Sequence, residues 1–261
     1  MIEENLNNQD RFLKTVKEAI KASPGGYRKN REELFSRLSQ STIESRLKKI
    51  QNRTRADQLK LLDLLMEQAE PINLRVMPVK NLQSASESIK ELILDKNPEW
   101  GTVKKVAAWK HPLIDKLSLG DALAKYDIPV YQSELKSTDD LPAGKQMIRE
   151  QIFESFVGIT AADFCIAQTA SLVMKSHPNQ ARAVSLVPSI HMAVIELNQI
   201  IENLGEFYFL QKWDPIQKKE GLTNCMTLIS GPSKTGDIEL IMVHGAHGPC
   251  ELHLFVITGE T

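Results

Sequence analysis

Short apolar runs alternate with helix-length segments through the middle of this chain, and that alternation limits its fold more than any other feature. "INLRVMPV", "VKKVAAW" and "PVYQS" are strand-sized, while "SASESIKELILDK", "LSLGDALAKYDI" and "KQMIREQIFESF" space their apolar residues as helices do. Strands alternating with helices of about a dozen residues mean βαβ units and a mostly parallel sheet. The first helix is expected to open on its serine and the third to begin after a Pro-Ala-Gly turn. Beyond Gly158 the strands become denser: "FCIAQTASLVM", "AVSLVP" and "HMAVIEL". A helix "NQIIENLGEFYFLQKW" then precedes "CMTLIS", "IELIMVHG" and "ELHLFVI". No internal repeat or low-complexity stretch interrupts the pattern.

Residues 1–70 read differently. Phe12, Leu13, Val16, Ala19 and Ile20 recur at helical spacing until "SPGGY", and further helical patterns run on to Glu70. The expected organisation is a helical arm over 1–70 and an α/β domain over 71–261. Between Arg28 and Lys60 ten Lys or Arg face four Asp or Glu. A solvated helix face accounts for this; docking to an acidic partner is the sharper alternative. Aromatic residues are absent between Arg37 and Lys60, and the net charge of the chain is −1, so nucleic acid is not an expected partner. No run approaches the roughly 18 apolar residues of a membrane span, and the polar start "MIEENLNNQDRF" lacks a signal-peptide pattern. Together with three widely spaced cysteines, Cys165, Cys225 and Cys250, this points to a reduced, cytoplasmic protein. A homo-oligomer is compatible with the sequence.

Three segments could carry chemistry. In "SGPSKTGDIE", Gly231 and Pro232 force a turn, and Ser233, Lys234 and Thr235 follow before Asp237. Such a loop can offer backbone N–H groups, hydroxyls and an ammonium to a small anion. A hairpin turn is the plainer alternative, and the spacing is not that of a P-loop. In "HGAHGPCELH", His244, His247, Cys250 and His253 stand three residues apart. Glycine and proline make this a turn before they make it a zinc site, so no metal is assigned; His247 alone is the candidate pocket residue. His191 is expected at a strand end, whereas His111 and His177, each followed by proline, read as loop residues. In "GITAADFCIAQTASLVM", Gly158 and Thr160 suggest a turn, Asp163 a backbone bond, and Gln168 and Thr169 either a turn between strands or a ligand contact. Cys165 reads as a small buried apolar group.

Taken in order, "GITAADFCIAQTASLV", "LVPSIHMAVIE", "SGPSKTGDIE" and "HGAHGPCELHLFVI" resemble the LUD domain, the domain of the lactate-utilization proteins, over about residue 72 to 261. The resemblance implies an α/β fold of the NagB/RpiA/CoA-transferase-like type with a Rossmann-type layered sheet. It implies a cytoplasmic system oxidising L-lactate to pyruvate, in which iron-sulfur clusters reside on partner proteins and this chain has no intrinsic cofactor. Three scattered cysteines cannot hold a four-cysteine cluster. The chain departs from the family where acid-Thr-Gly-Thr becomes Gln168-Thr169-Ala170-Ser171, and where the usual Arg of the Gly-Pro-Ser motif is Lys234. A carboxylate is lost at 168, Ala170 lacks the freedom of glycine at positive φ, and Lys234 keeps charge without bidentate geometry. The implied pocket holds Gln168, Thr169, His191, Gly231, Ser233, Lys234, Thr235, Asp237 and His247, with His247 or His191 as proton carrier for a small anionic substrate. Two other functions remain open from sequence: a stand-alone transferase or isomerase acting on a phosphorylated or CoA-linked molecule, and a non-catalytic scaffold.

Overall fold

Six parallel strands form the main sheet: β1 (Leu74–Val79), β2 (Val106–Ala108), β3 (Val130–Gln132), β4 (Val157–Ala161), β7 (Ile190–Glu196) and β12 (Glu251–Ile257). Their spatial order is β1-β12-β7-β4-β2-β3, with every neighbouring pair parallel. A second, four-stranded sheet orders as β8-β5-β6-β9, from β5 (Phe164–Ile166), β6 (Ser171–Lys175), β8 (Ile200–Ile201) and β9 (Met226–Ile229). Strands β10 (Lys234–Gly236) and β11 (Met242–His244) make a separate antiparallel hairpin. The structure is a computed structural model that describes residues 12–16, 18, 38–99, 101–135, 140–221, 223, 225–236, 242–244 and 247–259, the side chains of 235, 236 and 242–244 excepted.

Residues Met1–Lys48 and Lys49–Thr261 form two units. In the first, residues 12–16 are helical and exposed; helix α1 (Gln40–Gln51) spans the boundary. The basic segment's residues 28–37 lie outside the described residues. The second unit takes in helix α2 (Arg55–Ala69), which starts in a Thr54/Asp57 capping box and buries Leu62, Leu65 and Ala69. These join Ala193, Ile195, Leu252 and Leu254 of the main sheet and Cys165, Leu172 and Met174 of the small one. The opposite sheet face presents Ile159, Met192, Val194 and Phe255 to Ala85, Ile89 and Ile93 of α3 (Leu82–Asp95) and to the short helices α4 (Pro112–Asp115) and α5 (Leu119–Ala124). The central strands are therefore apolar on both faces, as a covered parallel sheet requires. Among the described residues, no helix is long and apolar enough to cross a membrane.

Several local expectations give way. Helix α3 is capped by Asn81, whose side chain accepts from Ser84 N–H, so the serines lie within it. The Pro-Ala-Gly segment belongs to α6 (Leu141–Phe153), because proline tolerates the first turn, where its missing N–H costs nothing. "AVSLVP" is no strand: Arg182–Ser185 is a 3₁₀ turn. Both edges of β4 are already paired, with β2 and β7, and the turn instead presses its backbone onto that strand. Gly158 and Thr160 are not a turn but lie inside β4. A Cβ on Gly158 would stand 1.8 Å from the Val184 carbonyl oxygen, so glycine here serves close packing of backbone on backbone. The helix expected over 198–213 is divided: Ile200–Ile201 pairs with β5, and α7 (Leu204–Trp213) begins only where Asn203 accepts from Glu206 N–H. Helix α8 (Pro215–Glu220) follows directly. "FCIAQTASLVM" is a β5–β6 hairpin around a 3₁₀ turn, Ala167–Thr169. At its close Ala170 sits at φ 44°, ψ 47°, so an alanine does occupy the left-handed region, at a cost of roughly 1–2 kcal/mol.

Candidate functional site

Both glycine-proline loops reach the amino ends of the central strands. Loop 230–233 leaves β9, and loop 247–250 leads into β12. They are tied directly: Ser233 N–H donates to the Pro249 carbonyl at 2.8 Å. Gly248 makes the approach possible, since a Cβ there would lie 3.3 Å from Ser233 Cβ. Gly231 has φ +79°, and a Cβ on it would meet the Ile72 carbonyl oxygen at 2.5 Å. Glycine is required there twice over, by conformation and by space.

Between the loops lies a cavity of about 250 Å³, whose lining includes Leu186, His191, Ile229, Gly231, Ser233 and His247. His191 is the second residue of β7 and is 1% exposed. Its Nε2 lies 2.8 Å from Thr160 Oγ1 on the adjacent strand β4. Its Nδ1 has no hydrogen-bond partner among the described residues. Burial, with a smaller contribution from His253, pushes the His191 pKa down to about 3. The imidazole is therefore neutral at physiological pH and a poor proton carrier, which changes the role expected of it: it is a hydrogen-bonding group at the cavity wall. His247, exposed at the rim, is the other histidine of the lining.

The remaining expected site residues are distributed unevenly. Lys234 is exposed and opens β10, one residue beyond the Ser233 wall. Thr235 follows it in the strand, and Asp237 lies outside the described residues. Gln168 and Thr169 are exposed at the β5–β6 tip and do not line the cavity. Thr169 connects to it indirectly, because Ser171 Oγ bonds Thr169 Oγ1 at 2.8 Å and Ser230 Oγ at 2.6 Å. Thr160, read from the sequence as part of a turn, and Ser171 and Ser230 were not expected at the site. Strand alternation could have found Thr160, which shares a sheet face with His191 once β4 and β7 are paired in register.

His253, two residues into β12, turns to the other face of the sheet from His191, alongside Phe255 and Ile257. Its Nε2 bonds Glu251 Oε2 at 2.8 Å, and Lys96 Nζ reaches Glu251 Oε1 at 2.6 Å. Burial lowers the His253 pKa against the opposing pull of Glu251. Burial alone would raise Glu251, but its bonds from Lys96 and His253 outweigh that and hold it below the usual value. Cys250 is no activated thiol either: burial and then Glu99 push its pKa up. Cys165 is fully buried and shifted the same way.

The LUD domain model matches residues 62–257. Lactate utilization protein C of Halalkalibacterium halodurans is 27% identical over 199 residues, 76% of this chain and 79% of that protein. Its namesake from Shouchella clausii is 26% identical over 170 residues, 64% of this chain and 68% of that protein. A crystal structure of a DUF162 family protein from Deinococcus radiodurans superposes with a TM-score of 0.51 at 18% identity, covering 78% of this chain and 99% of that one, a likeness of fold alone. With three-quarters of its length inside the family model, this chain belongs to the LUD domain family.

Proposed function

We propose that this protein acts in L-lactate utilization, as an accessory or substrate-handling subunit alongside iron-sulfur partner proteins in the cytoplasm. The observation that carries the reading is the pair of glycine-proline loops hydrogen-bonded edge to edge over a buried, neutral histidine, in a chain whose relatives are named lactate utilization protein C. In this reading the cavity holds a small anion such as a hydroxy acid. Lys234 supplies positive charge from the mouth, turn amides and Ser233 supply donors, and His247 at the rim exchanges a proton with solvent. His191, unable to hold charge, bonds a neutral oxygen of the ligand through its otherwise unpartnered Nδ1. The NagB/RpiA/CoA-transferase-like sheet is the fold-level part of the same proposal.

Its test is a gene deletion scored for growth on L-lactate, with affinity isolation of the tagged protein from lactate-grown cells. Loss of growth, and an eluate containing iron, acid-labile sulfide and lactate-dependent dye reduction, supports the reading. Normal growth and an iron-free single protein would overturn it.

A further inference from the structure

A second opening lies at the other end of the main sheet. The sense of the connections along the sheet reverses between the parallel strands β2 and β4: β2 leads outward to β3, while β4 leads the opposite way to β7. In open parallel sheets such divergence leaves a crevice beyond the carboxyl ends of the two strands, where ligands bind. Here the crevice is a cleft of about 490 Å³. Trp109 and His111, just past β2, form one side, and Asp163, just past β4, another; His177, Gln180, Gln199, Gln217 and Glu220 add polar groups to its wall.

Hydrogen bonding fixes what each group can offer. Asp163 Oδ2 accepts from Lys175 N–H at 2.7 Å, and Oδ1 lies 3.1 Å from His177 Nε2. A carboxylate only accepts, so His177 Nε2 carries the hydrogen; in the neutral ring Nδ1 is then an acceptor. His111 is set the other way round. Its Nδ1 accepts from Leu113 N–H at 3.1 Å, which leaves a neutral ring its Nε2–H as donor. Burial lowers the pKa of His111 against the opposing pull of Asp163 and Asp115, so the neutral form prevails. Gln199 anchors the corner by donating to the carbonyls of Ala162 and Asp163 at 2.7 and 3.2 Å. Among the described residues no lysine or arginine lines the cleft, and the buried Lys175 ammonium is engaged by Gln217 and Glu220. The wall is thus rich in acceptors, carries two carboxylates, and disfavours an anion.

We propose that this cleft is a second ligand site, for a small uncharged polyhydroxyl compound. One ligand hydroxyl donates to His177 Nδ1, another oxygen accepts from His111 Nε2–H, and Asp163 is the positioning residue that sets the His177 tautomer. The inference is independent of the lactate reading, since it concerns different residues at the opposite end of the sheet and a ligand of different charge.

The test is long-range ¹H–¹⁵N histidine spectroscopy of the full chain during titration with D-ribose, and separately with L-lactate. Expected are saturable shifts of the His111 and His177 ring signals at millimolar D-ribose and none with L-lactate. Asp163→Asn should weaken ribose binding about tenfold, the equivalent of one charge-assisted hydrogen bond, and change the His177 tautomer pattern while the thermal midpoint holds. If Asp163→Asn does not fold, His177→Ala, at a partly exposed position, should abolish the ribose-dependent shift of His111. No shift in wild type, an equal response to L-lactate, or a His177→Ala protein that still reports ribose at His111 would each overturn the proposal.

Discussion

The amino and carboxyl ends of the main sheet present two openings built on different principles. The amino-end cavity is made of contiguous motifs. Backbone turns shape it, glycines let the loops approach, and the buried histidine in its lining, His191, is held neutral. The carboxyl-end cleft is assembled from short pieces of five segments, and side-chain hydrogen bonds rather than turn geometry hold it. The first is therefore sensitive to added volume and to acid, the second to the loss of one polar atom.

Substitutions can break that contrast, beginning with the largest expected effect. Gly158→Ala would drive a methyl into the Val184 carbonyl, so a loss of about 3 kcal/mol or more is expected in urea unfolding. Wild-type stability after this change would mean that the 3₁₀ turn moves freely off β4. Acid comes next. Unfolded His191 takes up a proton near the usual value of about 6.5, while in the fold it resists protonation down to about 3. The unfolded state thus binds more protons in that window, so stability is flat above it and falls as pH drops through it. The slope reaches about 1.4 kcal/mol per pH unit for one histidine. From pH 6.5 to 4.5 His191 alone should remove about 2–3 kcal/mol. His191→Gln should flatten the thermal-midpoint profile over the same range; an unchanged slope would place the acid sensitivity elsewhere, His253 being the next buried histidine.

Gly231→Ala combines a positive φ with a backbone contact at 2.5 Å, and about 2 kcal/mol is expected from chemical denaturation. The smallest structural effect belongs to Lys234→Ala. At an exposed position stability should stay within about 0.5 kcal/mol, while anion binding measured by calorimetry weakens several-fold. If stability falls sharply and no anion ever protects the wild type, loop 230–236 is a structural turn and not part of a site.

These regions also differ in how far the sequence discloses them. Strands such as "HMAVIEL" and "ELHLFVI" announce themselves because β-branched and aromatic residues fill runs of strand length. "AVSLVP" looks the same by that measure, yet sheet positions beside β4 are already taken, a fact no local pattern contains. Ile200–Ile201 are strand residues embedded in a helical pattern, and only pairing with β5 reveals them. Gly158 reads as a turn until the Val184 carbonyl appears above it. The glycine-proline loops were legible as rims, since glycine and proline act locally. Gln168 and Thr169 were grouped with them by motif; at the hairpin tip neither lines the cavity directly, and Thr169 reaches its wall only through Ser171 and Ser230. Asp163, His177 and His111 could not be connected from spacing, because their meeting depends on the strand order of the whole sheet.

That strand order also bears on biogenesis. Strand β12 inserts between β1 and β7, so synthesis must present both flanking strands before their common neighbour exists. Until Glu251–Ile257 leaves the ribosome, two long apolar parallel edges stay open, the kind of surface on which nascent chains associate wrongly. The Ser233–Pro249 tie can close only after that insertion. Closure of the amino-end cavity is thus coupled to completion of the sheet, and a chain stalled before β12 is a natural client for chaperones.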